Sequence, residues 1–91
     1  MKNMDEAIRE VLDTHGRLSV PSISLTDDAN LYEHGLSSHA SVNVMLALEN
    51  TFGEEFPDSL LRKSTFQSVD AIREALISMG ISADLFVGGE N

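Results

Sequence analysis

The chain has no cysteine, only two prolines, and only six basic residues set against fifteen carboxylates in 91 residues. Without cysteine there is no disulfide, no thiolate metal site and no cysteine nucleophile, a usage that fits a reducing compartment. The shortage of basic residues leaves a formal net charge of -9. Nucleic-acid binding needs Lys and Arg to neutralise phosphates, so the charge argues strongly against that class of function. An acidic surface favours solubility and steers a protein toward partners with basic patches, an attraction that salt weakens; the plainer reading of the same charge is a solvated acidic face. Long apolar runs are also missing. No stretch approaches the length needed to cross a bilayer, and residues 1–6 are polar, with none of the apolar core of a signal peptide. The expected location is the cytoplasm, away from membranes.

What is present is an ordinary globular composition, 42% hydrophobic and 23% charged, in a chain long enough for one core and therefore one domain. That domain is expected over residues 1–80, with 81–91 as a fraying tail in which Leu85, Phe86 and Val87 offer an apolar stretch able to dock. Met4, Ala7, Ile8, Val11 and Leu12 fall at helical spacing, Asp5 and Glu6 sit where a helix dipole favours them, and Gly16 is a natural stop. A first helix over 4–15 follows. Residues 17–36 lack that period: Pro21, the alternation of Ser19-Val20-Pro21-Ser22-Ile23-Ser24-Leu25, and Asp27-Asp28 all oppose it. Alternation can mean a strand, but no second alternating run exists to pair with it, so a long ordered loop is the better reading. Leu18, Val20, Ile23, Leu25 and Leu31 are expected to pin the loop to the core, with Asp27 or Asp28 opening a short helical turn toward Tyr32.

A second helix is expected from Ser38 to Phe52, ending at Gly53. Its Val42, Val44, Met45, Leu46, Ala47 and Leu48 wrap most of the circumference, and a helix apolar all round is either buried or offers one face to another molecule. Phe56 anchors the connector that follows, Leu60 and Leu61 a short third helix ending at Ser64 or Thr65. Ser68 is placed to cap a last helix carrying Val69, Ile72, Leu76 and Met79 up to Gly80. The sum is all-α: a small four-helix bundle of three longer helices and one short one, with a long first loop.

The stretch Gly35-Leu36-Ser37-Ser38-His39 stands at the opening of the second helix. A small-residue turn there puts a serine hydroxyl where backbone N–H groups and the positive end of the dipole favour an attached anion. The plain alternative for Ser38 is a helix cap. Ser38 and His39 do not make a nucleophile and base, because neighbours on a helix point about 100° apart and no orienting group or oxyanion site accompanies them. No catalytic residue is assigned. His15, His34 and His39 offer no ligand pair at i, i+4 spacing, so no metal site is assigned either.

The order Asn30-Leu31-Tyr32-Glu33-His34-Gly35-Leu36-Ser37-Ser38, the apolar run at 42–49, Phe52-Gly53-Glu54-Glu55-Phe56-Pro57 and Ser68-Val69-Asp70-Ala71-Ile72 resembles the acyl and peptidyl carrier protein family along nearly the whole chain. The resemblance implies that bundle, no enzymatic activity, and a covalent 4′-phosphopantetheine cofactor on the serine of the family's Gly-x-Asp-Ser-Leu motif. The downstream match at 47–53 puts that serine at Ser38. Ser37 replaces the motif's Asp and His39 its Leu, which points away from the general fatty-acid machinery. The finer string Gly-Leu-Ser-Ser-x-Ala-Ser-Val, with Glu-Phe-Pro-Asp downstream, is similar to bacterial aminoacyl carrier proteins of rhizobial type. The partners so implied are a phosphopantetheinyl transferase and a stand-alone amino acid:carrier-protein ligase resembling a class II, seryl-type aminoacyl-tRNA synthetase. The carrier is expected to act as a monomer.

By the same resemblance, Leu36, Ser37, His39, Val42, Leu46 and Glu49 are candidates to touch partners. Val42 and Leu46 are alternatively core residues; Met45 and Phe52 are assigned to the core. Glu49, Glu54 and Glu55 either pair with a partner's basic groups or form a solvated face. Two other functions remain open: an acyl carrier for fatty-acid, polyketide or lipid synthesis, and an unmodified helical interaction module.

Overall fold

The computed structural model describes residues 3–82; Leu85, Phe86 and Val87 lie outside them. Three α-helices form the frame: α1 (Met4–His15), α2 (Ser38–Phe52) and α3 (Val69–Ser78). Among the described residues there is no strand, and the all-α architecture is as expected. Each helix opens on a side-chain cap. Asn3 accepts from the Glu6 N–H at 2.8 Å while Glu6 accepts from the Asn3 N–H at 3.0 Å, a reciprocal pair that satisfies two orphan donors of α1. Ser68 accepts from the Ala71 N–H at 3.0 Å to open α3.

Helix α1 packs against both α2 and α3, and its Met4, Ile8 and Leu12 are almost fully buried beside Leu31, Val44, Leu48, Ile72 and Leu76. The core also takes in Ile81, one residue past the expected domain end at Gly80. The short helix expected after Phe56 is two 3-10 turns, Asp58–Leu60 and Lys63–Phe66, the second running past Ser64 and Thr65. An extended Arg62, at φ -142° and ψ 160°, breaks the helix between them. Leu60 packs on the core edge while Leu61 stays half exposed. The second turn carries Thr65 and Phe66 inward, and the Phe66 ring meets Phe56 at a 5.4 Å centroid separation. A tilted pair of this kind adds about 0.5–1.5 kcal/mol beyond the area it buries.

The long loop departs from expectation at two of its five apolar pins. Leu31 is fully buried, and Leu18 and Leu25 pack against the core, but Val20 is exposed and Ile23 is 87% exposed. Ser22 takes the inward place instead. A 3-10 turn at Ser22–Ser24 removes the two-residue alternation that would have faced Ile23 and Leu25 the same way. Polar bonds fix Ser22: its N–H and hydroxyl donate to the two Asp13 carboxylate oxygens at 2.8 and 2.9 Å, and its carbonyl accepts from Arg9. Arg9 also donates to the Leu25 carbonyl at 3.0 Å and to Asp27 at 2.5 Å. Asp27 is therefore a clamp, not a helix opener. Asn30 opens the turn at Leu31–His34, its side chain accepting from the Tyr32 N–H at 3.0 Å. Arg73 closes the clamp from α3 through Asp5 at 2.8 Å and Asp70.

Candidate functional site

Gly35 sets the entry to α2. It adopts φ +107°, and a Cβ there would stand 2.8 Å from the Ser19 nitrogen and 3.2 Å from the Arg17 carbonyl oxygen. Only glycine fits both the left-handed backbone and the close pass of the loop. The Ser19 N–H, for its part, donates to the His34 carbonyl at 2.8 Å, locking the two segments together. Leu36 then drops into the core, 3% exposed, so it leaves the set of residues able to touch a partner: the tight turn faces its side chain inward.

The two serines that follow have different fates. Ser37, extended at φ -102° and ψ 166°, is the cap of α2, its hydroxyl accepting from the Ala40 N–H at 3.0 Å. Ser38 begins the helix and is exposed. Its carbonyl accepts from the Ser41 hydroxyl at 2.7 Å, whereas its own hydroxyl has no hydrogen-bond partner among the described residues. The capping role open to Ser38 in the sequence is thus filled by Ser37. No acidic residue lies in the first turn of α2, so nothing there opposes an anion at the positive end of the dipole.

Along α2, Ala40, Val44 and Leu48 face the core. Val42 and Leu46 are half exposed, at 50% and 51%, so they form an outward apolar stripe running from Ser38, four and eight residues on. His39 is exposed beside them. Met45 and Phe52, assigned to the core, are partly buried at its edge. Glu49 has internal work: its carboxylate accepts from the Phe56 N–H at 2.9 Å and holds the connector against the helix. Glu54 and Glu55 are exposed.

Sequence reasoning missed the other wall of the site. A cleft of about 330 Å³ adjoins Ser38 and Val42 and is closed by Tyr32, Arg62, Lys63 and Phe66. The Lys63 ammonium stands 4.8 Å from the centroid of the Tyr32 ring, and the Tyr32 hydroxyl donates to the Lys63 carbonyl at 3.0 Å. Burial pushes the Tyr32 phenol above its ordinary range, an effect partly offset by the nearby Ser41 hydroxyl. These residues come together only through the fold, and no local motif marks them.

An exposed serine without a hydrogen-bond partner among the described residues, at the first turn of a helix buried on one face and beside an outward apolar stripe, is a candidate site of modification. Residues 6–76 match the family described as phosphopantetheine attachment site. The chain belongs to this family of carrier proteins, which hold a covalent phosphopantetheine and do not themselves catalyse. It is 45% identical over 73 residues to the aminoacyl carrier protein of Agrobacterium fabrum, a match covering 80% of this chain and 88% of that protein. It is also similar to a carrier protein from Agrobacterium tumefaciens in a crystal structure with an engineered Bradyrhizobium japonicum glycine:[carrier protein] ligase and ATP, with TM-score 0.80 and 44% identity over 82% of this chain and 97% of that one. A solution structure of an Agrobacterium tumefaciens protein matches with TM-score 0.67 and 44% identity over 82% of this chain and 90% of that one. The site suits the family's group: a free hydroxyl can form the phosphodiester, and the first turn of α2 holds no carboxylate to repel it.

Proposed function

We propose that Ser38 is the attachment point of 4′-phosphopantetheine and that this chain carries an amino acid, loaded by a stand-alone amino acid:carrier-protein ligase. The carrying observation is the division of labour between adjacent serines: Ser37 caps α2 and Ser38 presents a free, exposed hydroxyl. In the modification, Ser38 Oγ forms a bond to the phosphorus of the pantetheine phosphate of coenzyme A and 3′,5′-ADP leaves, the hydroxyl proton passing to a base of the transferase. Once attached, the arm's terminal thiol holds an acyl group as a thioester and presents it to successive enzymes. Val42 and Leu46, with His39 beside them, form the surface that the transferase and ligase grip. The aminoacyl reading is supported by similarity to the Agrobacterium fabrum protein and to the carrier bound to a glycine:[carrier protein] ligase. The ligase proposed is one resembling the class II, seryl-type aminoacyl-tRNA synthetases. The carrier works as a monomer in the cytoplasm, and its charge of -9 supports a function without nucleic acid.

The test is loading. The pantetheinylated chain, incubated with ATP, glycine or another small amino acid and such a ligase, should gain the mass of one aminoacyl group, released by hydroxylamine as expected of a thioester. A chain that accepts malonyl or long-chain acyl groups from their transferases, and no amino acid from any ligase of this kind, would show a carrier for fatty-acid, polyketide or lipid synthesis instead.

A further inference from the structure

Of the six basic residues in this acidic chain, Arg9 and Arg73 are engaged by Asp5, Asp27 and Asp70. Arg62 and Lys63 are placed differently. Both are exposed, both line the cleft that Ser38 also lines, and neither meets a carboxylate among the described residues. Arg62 is steadied by donating its Nε–H to the Ser59 carbonyl at 3.0 Å, which leaves the outer guanidinium nitrogens available. Lys63 is steadied by the Tyr32 ring below its ammonium and by the Tyr32 hydroxyl on its carbonyl. Two held cations thus share a cleft with the one serine proposed to receive an anion, while the first turn of α2 adds its positive end and no carboxylate.

We propose that Arg62 and Lys63 bind the phosphodiester on Ser38, so that the start of the arm lies in this cleft beside Val42 and Phe66 instead of standing free in solvent. The inference rests on the assignment of Ser38 above. It makes the Lys63–Phe66 turn a second wall of the arm's resting place, and an enzyme that receives the arm must draw the phosphate away from these cations or add its own. Tyr32 acts as a positioning residue, holding Lys63 at the wall of the cleft that Ser38 also lines. The contact is electrostatic and partly solvated, so it is weakened by salt.

The test compares apo and holo protein by nuclear magnetic resonance, with intact mass confirming one pantetheine in each holo sample. Attachment should shift Tyr32, Arg62 and Lys63 as well as the first turn of α2. The phosphorus signal should move when salt is raised to about 1 M, where the screening length falls to about 3 Å. Arg62→Gln with Lys63→Gln, two exposed changes, should lose the shift at Tyr32 and the salt response while still accepting the arm; Lys63→Arg should retain both. Shifts confined to the neighbours of Ser38, with the same phosphorus signal in wild type and double variant, would overturn this inference and leave the Ser38 assignment standing. Failure of the wild type to take a pantetheine on Ser38 would overturn both.

Discussion

The two faces of α2 are built from similar residues and do opposite jobs. Ala40, Val44 and Leu48 face inward and are 0–1% exposed, whereas Val42 and Leu46, equally aliphatic, are half in solvent. The difference is position around the helix, not chemistry: the inner three meet α1 and its neighbours, and the outer two meet nothing among the described residues that hides them. Ser37 and Ser38 repeat the contrast one turn earlier, the first spent on the backbone and the second left free. An apolar side chain retained at about half exposure beside a free hydroxyl contributes little to folding, which fits a surface kept for recognition.

Substitutions separate the faces by size of effect. Leu48→Ala, on the inner face, should lower the free energy of unfolding by about 2–5 kcal/mol, read from urea midpoints, because the close-packed core will not collapse fully onto the cavity. Gly35→Ala should cost about 1–3 kcal/mol through forced left-handed strain, made worse by the close approach of the Ser19 nitrogen. Ser37→Ala should cost about 1 kcal/mol as the cap is lost, with attachment of the arm retained. Leu46→Ala, on the outer face, should change stability by no more than about 0.5 kcal/mol, yet should slow aminoacylation by the ligase. A large stability loss for Leu46→Ala would mean that the two faces are not divided in this way.

The helices were legible because their signals are local. The spacing of Met4, Ala7, Ile8, Val11 and Leu12, the stop at Gly16, and the caps at Ser68 and near Ser38 all act within one turn of the residues they order. The long loop was less legible because polar tertiary bonds outweighed apolar alternation: Asp13 and Arg9 draw Ser22 inward and leave Ile23 in solvent. At the site, sequence pointed to Ser38 but could not divide cap from free hydroxyl, nor say which side of an apolar helix faces out. Leu36 was misplaced because a glycine turn redirects the residue after it, and the bond of Glu49 to the Phe56 N–H went unread because it spans a turn that only the fold defines. Arg62 and Lys63, remote in sequence from Ser38, became neighbours only in three dimensions.

The central claim is tested most directly by the intact mass of the chain after treatment with coenzyme A and a broad-specificity phosphopantetheinyl transferase. Wild type and Ser37→Ala should each gain a single phosphopantetheine, and Ser38→Ala none. A Ser38→Ala chain that is still modified, or a wild type modified at Ser37, would contradict the account.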